Sequence, residues 1–376
     1  MEPFQEEYVS TRTPGYPAII LALGQSRVAV MGLQVAISLT TIWLCLLFLK
    51  KFSNSALAHN VLLIGFLFNP SQILYSTTLM TEIPFQLFLI SVFLSIILYI
   101  KTSKVQWIYI SALALCIGFI IKPVLYPFSL IFMAVGIIYF VRKKNFIHIP
   151  ITIVPLLVVL VFASWNYTRT GAFEVSSIQT TNFLNFNAKM VLYQAEGVER
   201  GDFVIGSLEQ EANLIKNFPQ RQKFRSEETR KIFLAHPFVA AFQYIKGCGA
   251  FLLDPGRYDW VTYWGIDNQN GFMFATGDSK ADTIQGTVKS TPIAIWLILL
   301  IVFLFNIVEL IFYGIFILKH PQLNYVKIIL SVGILYILAV TGSLGVSRYA
   351  LPIEPLLLIG VSLGATRFIN QSSNIN

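Results

Sequence analysis

Apolar positions in this chain come in long unbroken runs, not in the alternation of a half-buried strand or the narrow stripe of a surface helix. Runs near the roughly 20 residues that cross hydrocarbon occur at 28–49, 57–75, 83–101, 105–121, 124–141, 148–165, 292–318, 326–343 and 349–366. The pattern predicts nine membrane-spanning helices. The Asn69-Pro70 pair is expected to bend or end the second, because proline removes a backbone donor and clashes with the preceding turn. Between the sixth and seventh runs the pattern turns polar. There, Gly171 to Phe186 is rich in Ser, Thr, Asn and aromatic residues and reads as extended or looped. Glu209 to Leu253 reads as helices lying on the bilayer surface. Ser226-Glu227-Glu228-Thr229 supplies cap and acidic first-turn signals, and Phe233, Phe238, Phe242 and Ile245 recur at near-helical spacing. Asp254-Pro255-Gly256 to Trp264 reads as a turn whose Tyr and Trp suit the headgroup level.

Composition agrees with this pattern. Only 12% of the 376 residues are charged, against about 25% in soluble domains, and the mean hydropathy is +0.67. A net charge of +8 raises the question of nucleic acid, but the placement of the charges decides against it. Lys50, Lys51, Lys101, Lys104, Arg142, Lys143, Lys144, Lys319, Lys327 and Arg367 occupy the turns after spans one, three, five and seven and the tail, with no acidic residue among them. The polar excursion 166–291 holds thirteen Lys/Arg against thirteen Asp/Glu. That excess is a positive-inside bias. It puts the excursion and residues 1–27 on the outer face, and the organisation becomes an outer N-terminal segment (1–27), a six-helix block (28–165), an extracytoplasmic domain (166–291), and three helices with a cytoplasmic tail (292–376). The fold class expected is an all-α polytopic membrane protein of about nine transmembrane helices with one mixed, partly helical extracytoplasmic domain, in a bacterial plasma membrane. Cys45 and Cys116 fall inside spans and Cys248 has no partner in the excursion, so no disulfide is expected there.

With this topology the polar residues that do not suit lipid gather at one face. They are Glu6, Glu7 and Arg12 before span one, Thr81-Glu82 before span three, Lys122-Pro123 after span four, and Ser347-Arg348-Tyr349 before the last span. Arg and Lys bind phosphate oxygens, and a carboxylate can take a proton from an attacking hydroxyl. Together they point to a site for a lipid-borne phosphate. Each has a plainer reading. Thr81-Glu82 could be a solvated turn, Lys122 could reach the headgroups with no ligand, and Arg348 could pair with Glu354. Glu309, deep in a span, could be a relay residue, and its plainer reading is to pair within the bundle or face a polar crevice. The four histidines show no ligand spacing, and Asn166-Tyr167-Thr168 is a short glycosylation match almost against the membrane.

In order and in type, these positions resemble the GT-C superfamily of membrane glycosyltransferases, in particular the dolichyl-phosphate-mannose protein mannosyltransferase and aminoarabinose transferase branch. Arg12-Thr13-Pro14-Gly15-Tyr16-Pro17 resembles the end of that family's first outer loop. Leu79-Met80-Thr81-Glu82 is similar to an acidic motif at the outer end of a later helix. Gly118-Phe119-Ile120-Ile121-Lys122-Pro123 is similar to a Gly-Leu-x-x-Arg-Pro pattern, with Lys in place of the usual Arg. Trp165 to Gly171 resembles the passage into the outer domain, His236-Pro237 a surface helix start, and Arg348-Tyr349-x-x-Pro352 the beginning of a late helix.

The resemblance implies transfer of a sugar, with inversion, from a polyprenyl-phosphate carrier to an extracytoplasmic lipid, glycan or protein acceptor. It implies Glu82, with Glu6 or Glu7, as the acidic centre, and Arg12, Tyr16, Lys122, Arg348 and Tyr349 around the donor phosphate. Some members hold a divalent metal there and others need none. The family's main catalytic acid lies upstream of the Pro-Gly-Tyr-Pro element, after a first helix; that stretch is absent here, and the expectation is a chain that lacks that helix. Two alternatives compete: a flippase or transporter of a lipid-linked sugar, which should show repeated halves and broken helices meeting at the midplane, and a degenerate homologue that binds the carrier without transfer.

Overall fold

The computed structural model describes residues 12–265, 291–320 and 323–372, and all regular structure among them is helical. The bundle comprises α1 (Gly15–Ala22), α2 (Arg27–Leu49), α3 (Ala56–Phe68), α4 (Pro70–Ser76), α5 (Glu82–Thr102), α6 (Gln106–Ile121), α7 (Tyr126–Arg142) and α8 (Ile149–Thr170). A helical cap follows: α9 (Ile178–Asn182), α10 (Lys189–Glu196), α11 (Val198–Leu214), α12 (Phe218–Ala235), α13 (Pro237–Leu253) and α14 (Arg257–Tyr263). The chain re-enters the bundle as α15 (Ile293–Lys319), α16 (Asn324–Thr341), α17 (Ser347–Ala350) and α18 (Glu354–Ser372).

Among the described residues seven helices are long and apolar enough to cross a membrane, and the bent pair α3–α4 brings the number to eight if it is counted as one span. The protein is thus an α-helical multi-pass membrane protein. The difference from nine comes from α6, whose 16 residues reach only about 24 Å at 1.5 Å each. Within the bent pair, Asn69 lies between two helices at 60° to one another. It adopts an extended conformation, as a residue before proline must. Its side chain accepts from the backbone N–H of Gln72 at 3.1 Å, capping α4.

At the centre is α5, packed by α6, α2, α16 and the 351–353 turn, while α15 lies along α18 and α18 along α3. Phe85, Phe93, Phe119, Phe128 and Leu356 form part of one continuous core. Lipid tails are as apolar as these side chains, so close packing and internal hydrogen bonds hold the helices together. A buried polar stripe on α2, Gln34, Ser38 and Thr41, supplies several such bonds. Gln34 donates to the carbonyls of Tyr75 (3.0 Å) and Thr78 (2.7 Å). Gln72 donates to Ser38 Oγ (2.8 Å) and Gln86 Oε1 (2.9 Å), and Gln86 donates to Leu351 O at 2.7 Å. These bonds tie α2, α4, α5 and the 351–353 turn together.

In the cap, several expectations change. Residues 178–188 are helical rather than looped, α9 running into a π-helical turn Phe183–Ala188. The cause is a spacing hidden among polar residues: Leu184, Ala188, Val191 and Leu192 fall on one face and build the cap's own core with Ile205 and Ile232. Ser226 to Thr229 lies inside α12, not at its start. That helix begins at Phe218, capped by Asn217 whose side chain accepts from Gln220 N at 3.0 Å, with Pro219 in the first turn. Proline is preorganised there and loses no bond, so it outweighs the acidic signal eight residues on. Of the expected 254–264 turn only 254–256 and Trp264 are non-helical, the rest being α14.

The cap is joined to the bundle at 342–347. Gly247 meets the Ser343 carbonyl so closely that an added Cβ would lie 2.6 Å from it. Asn187 donates to Ser343 Oγ (2.9 Å), and the Tyr244 hydroxyl donates to Ala339 O (2.7 Å). The cation-rich turns lie elsewhere: Lys101 reaches the Lys51 carbonyl and lies over the Phe52 ring, bringing the turns after α2 and α5 together.

Candidate functional site

Between the bundle and the cap lies a cavity of about 1510 Å³. Its wall has three chemistries. Arg12, Lys122, Arg348 and Tyr349 make a cationic and aromatic part; Ile20, Leu21, Leu130, Leu156 and Leu160 make an apolar part formed by α1, α7 and α8; Glu174, Gln179, Asn182 and Asn187 make a polar part contributed by the cap.

Three chain-distant segments build the cationic part. Glu82 opens α5, Lys122 ends α6 in an extended conformation, and Arg348 sits in α17. Glu82 is fully buried, and a single oxygen, Oε1, receives Arg348 Nε at 2.6 Å and Lys122 Nζ at 3.2 Å. Thr81 Oγ1 donates to the other oxygen at 3.3 Å. The Tyr349 ring lies 5.0 Å from Lys122 Nζ and 5.5 Å from the Arg348 guanidinium carbon, within the range of cation–π attraction. Two cations share one carboxylate, so a net positive charge remains, and both cations but not Glu82 line the cavity. Arg12, exposed, lines it as well. Glu82 therefore stands behind the two cations and does not line the cavity.

Tyr16 lines the cavity too, but its hydroxyl donates to Gln34 Oε1 at 2.6 Å. Burial and the Glu82 charge push that phenol up to about 12, and the hydroxyl is committed to the protein. Glu6 and Glu7 lie outside the described residues. The Arg348–Glu354 pairing does not form. Six residues separate the two by about 120° around a helix and about 9 Å along it; Arg348 meets Glu82, and Glu354 lies against Glu309 and Asn69.

One residue went unnoticed in the sequence. Glu174 is the carboxylate that lines the large cavity among the described residues. It is placed by Asn166, fully buried, whose amide donates to Glu174 O at 2.9 Å and whose Oδ1 accepts from Arg169 Nη2 at 2.5 Å. That bonding also gives Asn166 a structural task and closes it to glycosylation. The signal available was position: Glu174 is the first carboxylate after the Trp165 to Gly171 segment.

Behind Arg348, Asp254 accepts from the backbone N–H groups of Ser347 (3.1 Å) and Gly256 (3.1 Å), and Asp259 accepts from Ser347 Oγ at 3.0 Å. Burial pushes both carboxyl groups above the ordinary aspartate value. A divalent metal does not fit beside Glu82, whose Oε1 is already held by two cations, and no three His, Cys, Asp or Glu converge as ligands among the described residues. Comparison with protein-family models, curated proteins and solved structures returned no match.

Proposed function

We propose that the protein is a GT-C-type glycosyltransferase. In this reading it moves a sugar from a polyprenyl-phosphate donor to an acceptor hydroxyl outside the cytoplasm, and the cap 166–291 is the extracytoplasmic domain. The observation that carries it is the cavity itself, where a cationic wall meets an apolar one beneath a polar cap. A lipid phosphosugar has those three parts in that order. Its chain suits Leu130, Leu156 and Leu160; its phosphate suits Lys122, Arg348 and Arg12; its sugar and the acceptor suit the cap. A soluble nucleotide sugar would leave the apolar wall without a partner.

In the transfer, the acceptor oxygen attacks the anomeric carbon from the side opposite the phosphate. The bond from that carbon to the phosphate oxygen breaks, its electron pair stays on the phosphate, and the hydroxyl proton passes to a carboxylate. Preorganised cations stabilise the departing charge, a contribution often the largest in such reactions. Glu82 acts as a positioning residue, holding Lys122 and Arg348 in place. The base is assigned to Glu174. General-base removal costs about 10²- to 10⁴-fold in rate, so Glu174→Gln should retain donor binding and lose turnover by that factor.

The test is donor turnover by the purified protein in lipid nanodiscs, with a radiolabelled polyprenyl-phosphate sugar. Wild type should release polyprenyl phosphate, Arg348→Ala should do so far more slowly, and a rate indifferent to both changes would overturn the assignment.

A further inference from the structure

A second, much smaller cavity of about 40 Å³ lies inside the bundle where the α3–α4 break, α15 and α18 meet. This is room enough for water. Glu309 of α15 and Glu354 at the start of α18 both line it, and both are more than nine-tenths buried. Each carboxyl group has an oxygen, Oε1, with no hydrogen-bond donor, although the two groups are close enough to hydrogen bond to one another. Two ionised carboxylates are both acceptors, so that bond exists only when a proton lies between them.

The other groups around the cavity do not supply the missing charge. Asn69, at the end of α3, meets Glu354 and is neutral. Asn306 of α15 and Ser71 of α4 are neutral. Asp254, from the end of α13, adds a third carboxyl group at the rim, beside Ser347 of α17. No lysine, arginine or histidine lines the cavity among the described residues. Like charges in contact, away from water, do not both ionise.

We propose that Glu309 and Glu354 form a proton-binding site inside the bundle, with one proton shared between the two carboxyl groups. The proton joins α15 to α18 and seats the segment 347–354, whose other side presents Arg348 to the large cavity. Without it, two negative charges would press the two helices apart. The inference stands independently of sugar transfer, since it rests on a different cavity.

The test is infrared spectroscopy of the protein in nanodiscs, reading the carbonyl stretch of a protonated carboxylic acid from acid to neutral pH. Wild type should keep such a band at neutral pH, shifted in heavy water, and the double variant Glu309→Gln/Glu354→Gln should lose it. Should the double variant not fold, Glu309→Gln alone carries the test, and its band must move or vanish. Asp254→Asn should leave the band in place. No band in wild type at neutral pH, an unmoved band in the glutamine variants, or its loss in Asp254→Asn would overturn the proposal. So would loss of the band on replacing choline by sodium at constant pH, which would assign the site to a metal cation.

Discussion

At the scale of single residues the account turns on Glu82. Removing one partner of a buried ion pair leaves an uncompensated charge and costs about 3–5 kcal/mol; Arg348 is about one-third exposed (34%), which places the cost at the low end. Glu82→Gln should therefore lower the thermal midpoint of the purified protein by several degrees, and an unchanged midpoint would show that the cations do not depend on it. Which residues meet was partly legible in the sequence. Glu82, Lys122 and Arg348 could be placed on one face because the apolar runs set the ends of their helices. What could not be read was the direction in which each side chain points. Glu82 was expected to be an acid facing substrate, but its position at the first residue of the most central helix buries it beneath the two cations. Glu174 was invisible for another reason: its place depends on a hydrogen bond from Asn166, and no periodicity announces such a bond.

At the scale of elements, seven of the nine apolar runs correspond to helices long and apolar enough to cross a membrane, because crossing hydrocarbon forces every backbone group into helix. The Asn69-Pro70 break followed from proline alone. The cap was less legible, since short helices packed on one another need only a few apolar positions, as in 184–192. One close contact fixes the wall of the large cavity. Gly15 of α1 lies against α6 so tightly that an added Cβ would sit 2.6 Å from the Ile120 carbonyl. Overpacking of this kind costs about 1–3 kcal/mol, so Gly15→Ala should lower the thermal midpoint and move Arg12 and Tyr16 away from Lys122, reducing donor affinity with Glu82 untouched. The joint between cap and bundle should be sensitive to pH. Burial raises the folded-state values of Asp254 and Asp259 above the ordinary 3.8. A raised carboxyl group contributes stability that is complete below the ordinary value and is lost as pH rises through the shifted one. Melting curves should therefore show stability from this joint falling as pH rises from acid toward neutral, and Asp254→Asn should flatten that fall.

At the scale of the whole molecule, orientation and ligand are the remaining claims. The cation-rich turns argue that their end faces the cytoplasm. A cysteine at Lys223 in the cap should then react with a membrane-impermeant maleimide on intact cells, and one at Lys143 only after permeabilisation; the reverse pattern would turn the protein over and remove the extracytoplasmic acceptor. The central claim is that the large cavity takes a lipid phosphosugar by its phosphate. Hydrogen bonds to charged groups contribute about 1.5–3 kcal/mol each, which corresponds to roughly a 10- to 100-fold change in affinity. The most direct measurement is equilibrium binding of a polyprenyl-phosphate sugar to the protein in nanodiscs, with wild type beside Arg348→Ala. The account predicts saturable binding weakened at least tenfold by the substitution. Equal affinity of the two, or no binding to wild type, would contradict it.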